Sequence, residues 1–92
     1  MDKIEKEICV ANKKGLHARP AAFFVNLVEK YDVTVTLANG EEKVNGKSIM
    51  GILMLGAVVG TVLKVTVEGN ESFAAMKVFE DFFSKQEEDL GS

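Results

Sequence analysis

Residues Val62 to Glu68 set Leu63, Val65 and Val67 against Lys64, Thr66 and Glu68, the two-residue period of a strand with one buried and one wet face. A chain with several such strands has to cover one face of a sheet and can leave the other to water. Val33-Thr34-Val35-Thr36-Leu37 repeats the alternation, and Ile4, Ile8 and Val10 share one side of an extended segment into which Lys6 intrudes. The turn signal Asn39-Gly40 predicts that Glu41 to Asn45 returns as the second arm of a hairpin. Helical periods lie between these strands. From Ala18 to about Tyr31, Ala21, Phe24, Val25 and Val28 occupy i, i+3, i+4 and i+7, with Phe23, Leu27 and Tyr31 widening the stripe. Ser48 suits the N-cap of a helix of about two turns that Gly56 ends. After Gly69, Asn70 suits the N-cap of a helix with Ala75, Val78, Phe79 and Phe82 inward, reaching about Lys85 or Gln86.

The predicted order is β-α-β-β-α-β-α. Helices with one apolar side and strands with one apolar face pack economically as an α+β open-faced β-sandwich, a four-stranded antiparallel sheet with three helices on one face. The 92 residues suit a single domain over residues 1–90, with Gly91-Ser92 read as a disordered tail. The longest uncharged apolar stretch, Ile49 to Leu63, is interrupted by Gly51, Gly56 and Gly60 and falls short of a membrane span. Residues Met1 to Glu7 lack the basic head and apolar core of a signal peptide, so the cytoplasm is the expected compartment. The lone Cys9, in a strand-like run, is expected to be a buried structural thiol. A net charge of −3 speaks against general nucleic-acid binding, which needs a basic surface. Lys13, Lys14, Arg19 and Lys47 flank the two segments singled out below and form a candidate basic face for an acidic or phosphorylated protein, although solvated lysines would look the same.

The one histidine, His17, stands where the first strand gives way to the first helix, in Lys14-Gly15-Leu16-His17-Ala18-Arg19-Pro20-Ala21-Ala22. First-turn amides have no intrahelical acceptor and, with the helix dipole, present positive charge to an anion. Gly15 permits a sharp turn, Pro20 fits the first helical turn, and Arg19 adds a permanent cation. Each has an ordinary structural use, and a histidine at a helix start is by itself weak evidence; jointly they describe a seat for a phosphoryl group on the imidazole.

The run Gly-Leu-His-Ala-Arg-Pro-Ala-Ala at 15–22 resembles the phosphorylation-site motif of HPr, the histidine phosphocarrier family of the bacterial phosphoenolpyruvate-dependent sugar phosphotransferase system. The run Lys47-Ser48-Ile49-Met50-Gly51-Ile52-Leu53-Met54-Leu55-Gly56 resembles the regulatory serine segment of its Gram-positive-type members. The likeness runs from about Ile4 to Lys85. It implies that His17 takes a phosphoryl group on Nδ1 from enzyme I and donates it to sugar-specific enzyme IIA components, with Arg19 assisting and the Gly15, Ala18 and Pro20 backbone forming the phosphate site. It further implies that the HPr kinase/phosphorylase modifies Ser48, which impairs phosphorylation by enzyme I and promotes binding to a catabolite-repression transcription factor. Ser48 also has the simpler use of a helix cap. Ile49, Met50 and Leu53 with Lys47 and Phe23 make the expected docking surface, some of it shared with the core.

No metal or cofactor is expected, and the chain is read as a stoichiometric carrier and a monomer, with no direct nucleic-acid contact and no membrane insertion. Val58-Val59 is more apolar than the polar turn usual in the family, which leaves open extra burial or an added contact surface; Gly46 predicts a looser approach to Ser48. Two other readings stand beside this one. A regulatory adaptor working through Ser48 alone has no use for His17 with Arg19, and a small nucleic-acid or metabolite-binding domain lacks basic charge and aromatic strand positions.

Overall fold

The computed structural model describes residues 2–13 and 15–84. Its elements are β1 (Lys3–Cys9), α1 (Ala18–Glu29), β2 (Thr34–Asn39), β3 (Glu42–Asn45), α2 (Ile49–Met54), β4 (Val62–Glu68) and α3 (Ser72–Ser84). The sheet order is β1-β4-β2-β3, with every neighbouring pair antiparallel. Two parallel strands, β1 and β2, therefore flank β4, and β3 and β4 in turn flank β2. Such spacing requires a helix to cross from one strand to the next but one, and α1 and α2 make those crossings. The result is an open-faced α+β sandwich with the three helices on one face.

Register carries the sequence alternation into the core. Ile8 lies opposite Leu63 and Ile4 opposite Val67, while Val35 and Leu37 on the other side of β4 meet Val67 and Val65. Leu37, Leu63, Val65 and Val67 have no exposed surface. Lys6 falls on this inner side opposite Val65, and its ammonium reaches past the edge to Glu80 on α3 at 3.1 Å. The pair is half exposed, so it contributes little beyond covering the sheet edge. Helices meet over an aromatic cluster in which the Phe24 ring lies 5.1 Å from Phe79, 5.3 Å from Phe82 and 5.1 Å from Phe83, centroid to centroid. Burying one such ring contributes about 2–3 kcal/mol.

Several boundaries depart from the sequence reading. The hairpin turn is Gly40-Glu41, because Asn39 pairs with Glu42; Gly40 takes φ 63° there, as the first central residue of a type II′ turn does. Asn39 instead uses its side-chain amide to cap the α2 end, donating from Nδ2 to Leu55 O at 3.0 Å. The first helix stops at Glu29, two residues short of Tyr31. Asn70 is not the N-cap of α3: its first backbone bond runs from Ala75 N to Glu71 O, after a turn in which Ser72 N donates to Gly69 O. The helix is described as far as Ser84, and the expected Lys85 or Gln86 limit, like the Gly91-Ser92 tail, lies outside the described residues.

Two further corrections concern burial. Cys9 is exposed, because alternation with buried Ile8 and Val10 turns it to the open side of the sheet. The approach to Ser48 is tight: a Cβ at buried Gly46 would lie 2.6 Å from Val35 Cγ1. Val58 and Val59 are both exposed, which decides for surface over extra burial.

Candidate functional site

Backbone hydrogen bonds among the described residues hold the loop that leads into α1. Val10 N donates to Thr61 O, Ala11 N to Phe83 O and Gly15 N to Asn12 O, and Leu16 N donates to Ala57 O. Leu16 and Asn12 are buried, so the loop is anchored from beneath. Gly15 is needed for two reasons: its φ is +72°, and a Cβ would lie 2.4 Å from Ala57 O. Its amide is already bound to Asn12 O, so Gly15 gives the loop its shape and offers no donor to an anion.

His17 occupies the N-cap position of α1 in an extended conformation, φ −98° and ψ −171°, and its side chain makes no capping hydrogen bond. Its carbonyl accepts the first intrahelical bond, from Ala21 N at 3.0 Å. The amides of Ala18 and Arg19 therefore precede the first helical bond, while Pro20 has no N–H. Pro20 contributes burial within the first turn, with Ala18 and Arg19 exposed beside it. The imidazole is half-buried, and its Nε2 is enclosed without a hydrogen-bond partner. An imidazole spared from capping, with one nitrogen sealed off, has a single ring nitrogen to offer a partner.

The second segment is built differently. Ser48 caps α2 with φ −106° and ψ 109°, and its Oγ accepts from Gly51 N at 2.9 Å. Lys47 is exposed, its amide held by Asn45 Oδ1 at 2.8 Å. Ile49 and Met50 project outward, Met50 with 68% of its surface exposed, and Leu53 is half-buried against the core. Phe23 on α1 is 45% exposed and stacks on Phe82, with centroids 5.8 Å apart and planes inclined by 12°.

The entries to the two segments lie apart. Gly46 N bonds Val35 O, and Val35 lies across β4 from Ile4, which puts the entry to Ser48 at the Lys3 end of the sheet. His17 follows Val10, whose carbonyl binds Gly60 N, at the Cys9 end. Lys13, Arg19 and Lys47 are all exposed, and Lys14 lies outside the described residues. Between the two ends α2 packs against α1 and carries the exposed apolar side chains. The sequence reads Asn12 to Gly15 as a loop, as found, but gives no sign that Thr61 belongs to it, although a threonine after Gly60 is a turn signal.

An open-faced sandwich with an uncommitted histidine at a helix start defines a class of small histidine-bearing carrier domains. Residues 4–85 match the family model described as "PTS HPr component phosphorylation site". The chain is 39% identical over 83 residues to the phosphocarrier protein HPr of Xylella fastidiosa, covering 90% of this chain and 93% of that one. It is 36% identical over 83 residues to the HPr-like protein Crh of Halalkalibacterium halodurans, covering 90% of this chain and 99% of that one. Among solved structures, the phosphocarrier protein HPr of Bacillus anthracis superposes with a TM-score of 0.85 at 31% identity, covering 90% of this chain and 99% of that one. The chain belongs to the HPr family of phosphocarrier proteins of the phosphotransferase system.

Proposed function

We propose that His17 is the phosphorylated residue, accepting a phosphoryl group on Nδ1 from phosphorylated enzyme I and passing it to sugar-specific enzyme IIA components. The observation that carries this reading is the N-cap imidazole that makes no capping bond. In each transfer the Nδ1 lone pair forms the N–P bond as the donor's bond to phosphorus breaks, and the reverse step hands the group on. Such a transfer is governed by position and by charge stabilisation of the equatorial oxygens. Ala18 N–H and the helix dipole favour that charge, and Arg19 supplies a cation in the same turn. The site is open, which lets two partner proteins approach the phosphorus in turn, and the chain acts as a stoichiometric carrier.

Ser48 is proposed as a regulatory site for the HPr kinase/phosphorylase, with the modified form meeting a catabolite-repression transcription factor. Its position at the foot of α2 supports an effect on partners that read Met50 and Ile49, as opposed to an effect on the imidazole itself. The compartment proposed for the chain is the cytoplasm. No helix among the described residues is long and apolar enough to cross a membrane.

The deciding experiment is incubation with enzyme I and phosphoenolpyruvate. The protein takes up one acid-labile phosphate and His17→Ala takes up none; retained labelling in that variant would remove the carrier reading. Failure of the unaltered protein to be labelled, with acid-stable phosphate still added at Ser48 by the kinase, would favour the adaptor reading.

A further inference from the structure

The carbonyl of Ala57 and the N–H of Val58 belong to one peptide plane, and both of its polar ends are engaged. The carbonyl accepts from Leu16 N at 2.9 Å. The N–H donates to Thr61 Oγ1 at 3.1 Å. A planar unit held at one end can still rock about the dihedrals on either side; held at both ends it cannot. Leu16 immediately precedes His17, and Gly15 lies so near the same plane that its Cβ would fall 2.9 Å from Val58 Cα. The backbone of the 58–61 turn is fixed separately, by Thr61 N to Val58 O at 3.0 Å, Gly60 N to Val10 O at 2.8 Å and Val10 N to Thr61 O at 2.8 Å. Those bonds place the turn, whereas the hydroxyl reaches the plane that receives Leu16.

We infer that Thr61 is a positioning residue for His17: its hydroxyl orients the Ala57-Val58 peptide plane against which the Leu16 amide, and with it the imidazole, is set. The consequence for transfer rests on the carrier reading above; the geometric hold does not. A nitrogen that must meet phosphorus in line loses rate when its backbone gains play, even though the surface offered to the partner is unchanged. Thr61 touches neither phosphate nor imidazole in this scheme. It acts through two hydrogen bonds and one peptide plane.

Thr61→Val keeps the branched shape and removes the hydroxyl, and Thr61→Ser keeps the hydroxyl. Amide exchange at Leu16 is expected to quicken about fivefold in Thr61→Val, the size of one ordinary hydrogen bond, beyond any change at Val65 in the central strand. With enzyme I as donor, kcat for labelling falls by a similar factor at unchanged KM, and Thr61→Ser restores both. Leu16 exchange that stays the same or rises only in step with Val65, an unchanged kcat, or a Thr61→Ser protein that behaves as Thr61→Val would each overturn the inference. Were the unaltered protein to accept no phosphate, the carrier reading would fall, and the Leu16 comparison would still decide whether Thr61 holds the loop.

Discussion

Gly46 donates its N–H to the carbonyl of Val35 at 2.8 Å, and the place its Cβ would take lies 2.6 Å from Val35 Cγ1. Lacking a side chain, the backbone leaving β3 lies flat on β2 before turning into the Ser48 cap. Gly46→Ala forces Val35, a core residue, to move. The expected cost is that of overpacking, about 1–3 kcal/mol, read as a lower urea midpoint. Because Gly46 is at the far end of the sheet from His17, labelling per folded molecule stays as in the unaltered protein. An unshifted midpoint would show that Val35 has room to yield.

Cys9 stands on the open face of the sheet opposite Val62. A thiol reagent such as 5,5′-dithiobis-(2-nitrobenzoate) therefore titrates it in the native protein without denaturant. Reaction only on unfolding would place the thiol inside and contradict its position in β1.

Ser48 Oγ accepts from Gly51 N, one hydrogen bond that Ser48→Ala removes. The loss expected of an N-cap is about 1 kcal/mol, and Ser48→Asp, itself a good cap, largely retains the stability. Denaturant unfolding of the two variants measures this. An unchanged stability in Ser48→Ala would mean that the cap contributes nothing, and equal losses in both would mean that aspartate does not take over the cap.

Met50 and Phe24 separate docking from folding. Met50 is 68% exposed while Phe24 has no exposed surface. Met50→Ala should alter stability by no more than about 0.5 kcal/mol yet lower kcat/KM for labelling by enzyme I. Phe24→Ala should cost about 3–5 kcal/mol, a large share of the stability of so small a domain, seen as a fall in melting temperature. A Met50→Ala protein with unaltered transfer kinetics would take that side chain out of the docking surface.

Much of the fold was legible because periodicity is a property of neighbours in the chain. Leu63, Val65 and Val67, or Ala21, Phe24, Val25 and Val28, declare an inward face with no knowledge of what covers it. Boundaries were harder where a long-range contact competed with a local signal. Glu71 ends up before α3 with its carboxylate accepting from Asp32 N at 2.7 Å, and Asn70, the better local cap, is left in the turn. The Cys9 error had its remedy in plain view, since Ile8 and Val10 already claimed the inner face.

The sequence alone determined the order of elements, the inward face of each, and a histidine beside glycine, arginine and proline at the start of a helix. All of these follow from residues within a few positions of one another. Tertiary structure decided that Gly46, before Ser48, and the loop before His17 start from opposite ends of the sheet, that Gly46 must be small, and that this loop rests on a peptide plane some forty residues further along the chain, held by Thr61. These depend on which strands pair and in what register, and pairing order is set by packing of the whole core, to which no local run of residues has access.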